Sequence, residues 1–167
     1  MDKLPALRVA AAPRRSSRSL WRLCWDHRMI RIREIDHVVL RVIDLPKMLD
    51  FYCRVLGCAV ERRDDELGLV QLRAGRCLID MVEVAGALGL AGGVGPGKTG
   101  RNMDHFCLRV DPFDAAAIRA FLSANGVVAG EIASRYGAEG NGPSLYLSDP
   151  EGNTIELKGP PSSSAPA

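Results

Sequence analysis

At 167 residues and a formal net charge of +2, the chain is sized for one domain with a substantial core and not for two large ones. Hydrophobic residues make up 47% and charged residues 25%, the balance of a water-soluble globular protein; no uninterrupted apolar run approaches the roughly 20 residues of a membrane-spanning helix, so a membrane protein is excluded. The positive charge is concentrated at one end: residues 1–34 hold nine Lys/Arg against three acids, a net of +6, which leaves −4 from Ile35 onward. Nothing in that acidic body calls for nucleic acid.

In chain order, residues 1–34 read as a basic, disordered extension. The Arg- and Ser-rich stretch "ALRVAAAPRRSSRSLWRLCWDHR" also has the composition of an organelle transit peptide, and Met29 offers a second start. The five cysteines (Cys24, Cys53, Cys58, Cys77, Cys107) form no C-x-x-C pair. An odd count without a secretion signal predicts reduced, buried thiols and a cytoplasmic protein.

The segment "IDHVVLRV" predicts a strand, followed by a helix over "DLPKMLDFYCRVLG", where Leu45, Met48, Leu49, Tyr52 and Leu56 recur at helical spacing and Gly57 ends it. Three short strands follow, "CAVERR", "LGLVQLRA" and "CLIDMVEV". Residues 85–102 are a glycine-rich connector that contains "GGVGPGKTG", a formal match to the phosphate-loop pattern. Such a loop works only if a helix follows and aims its N-terminal N–H groups at the anion. Here "MDHFCLRV" follows, which reads as a strand, so a nucleotide site is not expected. The second half repeats the first: a strand, a helix over "DPFDAAAIRAFLSANG" with Phe113, Ala117, Ile118, Phe121 and Leu122 on one face and Gly126 as its stop, then strands in "VVAGEIASRY", "PSLYLSD" and "NTIELKG".

"DHVVLRV" at 36–42 and "DHFCLRV" at 104–110 agree at five of seven positions, so the unit is βαβββ, twice. Strand alternation sends Val38, Leu40 and Val42 toward the helix and His37, Val39 and Arg41 to the opposite face; His105, Cys107 and Arg109 do likewise in the second copy. Asp80 in "IDM" and Glu156 in "IEL" are flanked by packing residues and also face inward. Two imidazoles and two carboxylates are therefore predicted to converge. Inward carboxylates without a cation would repel one another, a cost that a divalent ion such as Zn, Ni, Co, Mn or Fe removes. His37, His105 and Glu156 alone form a 2-His-1-carboxylate set.

The doubled "DHxxLRV", the helix end "FYCRVLG" and the closing "LSDPEGNTIEL" resemble the vicinal oxygen chelate superfamily, which holds glyoxalase I, bleomycin and fosfomycin resistance proteins and extradiol dioxygenases. The likeness covers about residues 35–159, and "RYGAEGNGPSLYLSDPEGNTIEL" is most similar to the short lactoylglutathione-lyase-like proteins. The resemblance implies an α+β fold of two βαβββ modules forming a cupped mixed sheet: module one at 35–84, the linker at 85–102, module two at 103–159, and a disordered tail at 160–167. It places metal ligands at His37, His105 and Glu156, and puts Asp80 where glyoxalase I has an acid ligand. Asp is one methylene shorter than Glu, so Asp80 either reaches the ion or contacts its bound water.

The activity so implied is glyoxalase-type isomerisation of a small vicinal-oxygen substrate through an enediolate, with Glu156 or Asp80 as base. Arg41, Arg109, Arg135 and Tyr136 are the expected substrate contacts, the last two on a lid formed by "SRYGAEGNGP". Alternatives within the same superfamily are an Fe(II) extradiol-type dioxygenase, a fosfomycin-type transferase and a non-catalytic drug-binding protein. Short members generally pair, so a homodimer is expected, with each cup built from one chain or from two.

Overall fold

Strand β1 (His37–Val42) and strand β4 (Cys77–Glu83) lie side by side and parallel, with β3 (Leu69–Ala74) antiparallel to β4 and β2 (Ala59–Asp64) antiparallel at the edge. The computed structural model describes residues 32–162; residues 1–31 of the basic extension expected over 1–34, and residues 163–167 of the tail, lie outside the described residues. All elements belong to the compact unit that begins at Ile35.

A parallel β1–β4 pair requires a crossover, and helix α1 (Leu45–Asp50) supplies it. Asp44 caps α1 by accepting from the Lys47 N–H, and Pro46 sits in the first turn, where a missing donor costs nothing. The helix then widens into one π-helical turn, Phe51–Val55, in which the Leu56 N–H donates to Phe51 O at 3.2 Å. Gly57 ends it at φ +73°, a left-handed conformation open to glycine.

Module two repeats this plan. Strand β5 (His105–Arg109) is parallel to β8 (Thr154–Lys158), β7 (Gly140–Ser148) is antiparallel to β8, and β6 (Ala133–Gly137) forms the edge. Between the first two elements of the module comes an α-helix, Ala115–Ala124, capped by Asp114 and stopped by Gly126 at φ +72°. The connector holds a single helical turn, Ala87–Leu90, so the labels run α1, α2 (Ala87–Leu90) and α3 (Ala115–Ala124). Beyond Lys98 the chain makes only a Gly97–Gly100 bridge before β5, with no helix to complete a phosphate cradle.

The structure revises several expectations. Phe121 is half exposed, at 50%; α3 packs through Leu122 and Ile118, and Phe121 stands about 100° around the helix from Leu122. The strand expected over 127–136 starts only at Ala133, because the preceding loop is tied sideways to β7 by Gly130 N–H donating to Tyr146 O at 2.7 Å. Of the described cysteines, all four are free thiols, yet only Cys58 is buried and Cys107 is exposed. Residues 134–143, expected as a lid, form a tight hairpin in which Arg135 pairs with Gly142 and Gly137 with Gly140.

One hydrophobic core runs through both modules. Leu40, Met48, Tyr52, Leu72, Ile79 and Met81 from the first and Leu145 and Ile155 from the second are almost wholly excluded from water, each burial being worth roughly 1.5–3 kcal/mol. Polar bridges add register between the modules. Tyr52 Oη donates to Asp149 Oδ2 at 3.0 Å, and Glu151 accepts from the Ile43 and Asp44 N–H groups at 2.8 and 2.6 Å. With one face of each sheet committed to this core, the opposite face carries His37 and Val39 in one sheet and His105 and Cys107 in the other. All four are at least partly open.

Candidate metal centre

The two sheets carry the same constellation at equivalent positions. In sheet one, Asp80 is register-paired with Val39 on β1 and Gln71 on β3; in sheet two, Glu156 is paired with Cys107 on β5 and Tyr146 on β7. The histidine lies two residues upstream of that pair on the parallel strand in both cases. Gln71 Nε2 donates to Asp80 Oδ2 at 3.0 Å, and Tyr146 Oη donates to Glu156 Oε2 at 3.4 Å. Each carboxylate is only 6% exposed. The remaining oxygen of each, Asp80 Oδ1 and Glu156 Oε1, is buried without a hydrogen-bond partner. Leaving such an acceptor unpaired costs about 1–3 kcal/mol, more when it is charged, and the two sheets carry this cost at equivalent positions.

The histidines are prepared in the same way. His37 Nδ1 is 2.9 Å from Asp36 Oδ1, and His105 Nδ1 is 2.6 Å from Asp104 Oδ2. A carboxylate only accepts, so Nδ1 carries the proton and Nε2 presents its lone pair, the tautomer a metal ligand needs. The hydrogen bond that His37 donates to Asp36 holds the imidazole above its usual range; slight desolvation works against it, and the Asp80 charge adds to it. In the second sheet His105 Nε2 stands 3.6 Å from Glu156 Oε2. Desolvation and the Glu156 carboxylate push the Cys107 thiol up to about 11 and raise the Tyr146 phenol.

Tyr146 organises this half-site. Its ring meets His105 edge-on at 5.4 Å and 89°, while the Arg135 guanidinium lies over it at 4.6 Å. Arg135 is in turn anchored on the Ser144 carbonyl and hydroxyl oxygens at 3.0 and 2.9 Å. A cavity of about 370 Å³ opens here, lined by Arg101, Asp104, His105, Tyr146 and Thr154.

The expected ligands thus come together two by two, His37 with Asp80 and His105 with Glu156. Among the described residues no three His, Cys, Asp or Glu side chains of one chain meet at a metal-sized position. The reason is topological: partners within a pair sit on adjacent parallel strands, whereas the two pairs sit on different sheets. The donor chemistry of each half, an imidazole together with a carboxylate that has one oxygen free of hydrogen bonds, fits a divalent ion.

The arginines expected to bind substrate have other partners. Arg41 donates to the carbonyls of Gly89, Gly93 and Val94 at 3.1, 2.7 and 2.9 Å and so straps the glycine-rich connector onto β1. Arg109 donates to Gly159 O and to the Glu139 carboxylate. Tyr136 lies on edge strand β6, 82% exposed. Asp36, Asp104, Gln71 and Tyr146 were missed in the sequence reading. The doubled "DH" was a signal for the first two; nothing local marked the others, which are set by cross-strand register.

The chain matches the Glyoxalase/Bleomycin resistance protein/Dioxygenase superfamily over residues 34–157, and it belongs to that superfamily. It is 29% identical over 133 residues to a catechol-2,3-dioxygenase of Bacillus subtilis, covering 77% of this chain but 43% of that protein, so it spans less than half the relative's length. Among solved structures it resembles an integron cassette protein from the mobile metagenome of V. cholerae (26% identity, TM-score 0.62, 78% of this chain and 98% of the other). It also shares its fold with a lactoylglutathione lyase from Agrobacterium tumefaciens (19% identity, TM-score 0.58, 77% and 95%). Among the described residues no helix is long and apolar enough to cross a membrane.

Proposed function

We propose that the protein is a metal-dependent isomerase of glyoxalase type, acting on a small substrate with two neighbouring oxygens. The observation that carries this reading is the pair of buried, unpartnered oxygens, Asp80 Oδ1 and Glu156 Oε1, each beside a histidine whose Nδ1 is already held by an aspartate. Because the pairs lie on different sheets, each complete site takes His37 and Asp80 from one copy of the chain and His105 and Glu156 from a second. A divalent ion held there supplies Lewis acidity to adjacent substrate oxygens.

The chain's own groups do the remaining work. The Glu156 carboxylate takes the proton released from substrate carbon, then returns it to the neighbouring carbon, so the change is an isomerisation with no external oxidant. Tyr146 Oη donates to Glu156 Oε2 and so fixes the orientation of the carboxylate. The Arg135 charge over the Tyr146 ring favours a substrate that becomes anionic as its proton leaves.

The test is metal analysis of the purified protein beside a His105→Ala variant, followed by an assay with the hemithioacetal of methylglyoxal and glutathione. Bound metal that the variant loses, with turnover by the parent, supports the reading. Protein without metal removes it, and metal without turnover removes the glyoxalase-type activity. A second reading, favoured by the similarity to the Bacillus protein, takes His37, His105 and Glu156 as the iron ligands of a ring-cleaving dioxygenase. Oxygen uptake with catechol, and its survival in Asp80→Ala, would favour that alternative.

A further inference from the structure

A second, larger cavity of about 670 Å³ lies between the modules and includes none of His37, Asp80, His105 or Glu156 in its lining. One wall is α1 and its π-helical turn, with Lys47, Phe51 and Val55; the other is the loop after α3, with Val127, and the end of β7, with Ser148. Its outline is held in place. Arg54 reaches across to Asn125, Tyr52 to Asp149, and Gly130 N–H to Tyr146 O. An interface fixed by two hydrogen bonds between the modules and one within module two, and that still leaves this volume unfilled, has the character of a preformed ligand site, whose usual size is about 300–1,000 Å³. The π-turn in its wall is a feature that recurs at functional sites.

Two observations give the occupant a chemistry. Tyr146 and Thr154 line both this cavity and the smaller one at His105, so the spaces adjoin. The charges also differ in availability: Arg54 is paired with Asp50, and Asp149 is enclosed by Tyr52, Asn153 and backbone N–H groups. Lys47 makes no ion pair among the described residues. Phe51, Val55 and Leu147 supply the apolar surface, each less than a tenth exposed.

We infer that this cavity binds the non-reacting part of the substrate, an apolar segment ending in a carboxylate or similar anion that pairs with Lys47, while the oxygen-bearing head lies past Tyr146 and Thr154 beside His105. The inference rests on the metal-site reading for the position of the head. The tail site itself stands on its own geometry.

The experiment measures binding of 4-phenylbutyrate and of its neutral counterpart 4-phenyl-1-butanol by calorimetry to the full chain and three variants. Wild type is expected to prefer the carboxylate by about five-fold, the worth of one exposed ion pair, and Lys47→Gln to lose that preference. Ser148→Trp, a change at an exposed position on the wall, should weaken both probes about ten-fold by filling the space. Glu156→Gln should leave both unchanged. Equal binding of the two probes, a preference that survives Lys47→Gln, indifference to Ser148→Trp, or loss in Glu156→Gln would overturn the assignment. Metal uptake without probe binding sinks the tail site alone; probe binding in the expected pattern without metal uptake supports the tail site and removes the metal reading.

Discussion

His105 Nε2 and Glu156 Oε2 stand 3.6 Å apart on neighbouring parallel strands, with Glu156 Oε1 buried and unpartnered behind them. Under the proposed function that carboxylate serves a cation rather than the fold. Glu156→Gln is therefore expected to lower metal affinity by at least about ten-fold while leaving the thermal midpoint unchanged or slightly raised, since it removes a buried charge. Metal titration followed by a melting curve without metal checks both parts. A clear fall in the metal-free midpoint would show that Glu156 is structural.

Asp36 and Asp104 touch only the far nitrogen of each histidine and are almost fully exposed. Replacing either with Ala should cost about 10–100-fold in metal affinity through loss of ring orientation and tautomer. Folding stability should change little, because exposed pairs contribute about 0–1 kcal/mol. Equal metal affinity in wild type and Asp104→Ala would show that the ring is held by packing against Tyr146 instead.

The proposal that each site is shared between two copies makes a mixing experiment decisive. His37→Ala and His105→Ala homodimers should each be inactive, but a mixed dimer contains one site with both histidines intact. A one-to-one mixture, after exchange of subunits, should regain about a quarter of wild-type activity, since half the dimers are mixed and each has one good site of two. No recovery despite demonstrated exchange would place all ligands of a site in one chain.

Tyr52 predicts an alkaline limit to stability. Burial, then the nearby Asp149 charge and the hydrogen bond to it, raises its phenol far above the ordinary value of 10.0. The folded state thus keeps a proton that the unfolded state gives up, so the contribution is fully present below pH 10 and declines as pH rises above it. Tyr52→Phe should cost about 1 kcal/mol at neutral pH for the lost hydrogen bond and show a flatter decline above pH 10. Denaturant midpoints from pH 7 to 11 measure this, and parallel curves would rule Tyr52 out as the cause.

The glycine-rich connector is folded and not free. A Cβ on Gly89 would lie 2.0 Å from Glu83 O and 2.6 Å from Val84 Cα, both backbone, so the chain must move to admit it. Gly89→Ala should destabilise by about 1–3 kcal/mol and make the 89–95 segment more susceptible to limited proteolysis, because displaced carbonyls lose the Arg41 strap. Unaltered cleavage and stability would mean the connector has room to yield.

Periodicity and repetition made most of the fold legible. Alternation in "DHVVLRV" and "DHFCLRV" sorted core from open faces correctly, with Leu40 and Val42 buried and His37 and His105 at the surface; both helix stops proved to be glycines at positive φ. These are local signals, written in two- or three-to-four-residue spacing. The errors came where a distant contact outweighed local propensity, as when Gly130 bonds to Tyr146 and keeps residues before Ala133 out of the sheet.

What the sequence by itself determined is which side chains share a strand face and that the plan occurs twice, because side-chain direction follows from backbone period alone. What only the tertiary structure decided is which of those faces meet and where each charged group spends its hydrogen bonds. Arg41 illustrates the difference: its strand position made it a substrate contact, yet three carbonyls some fifty residues downstream claim its guanidinium. Gln71 and Tyr146 enter the site by register across antiparallel strands. Register depends on turn geometry and packing over the whole sheet, and no window along the chain contains it.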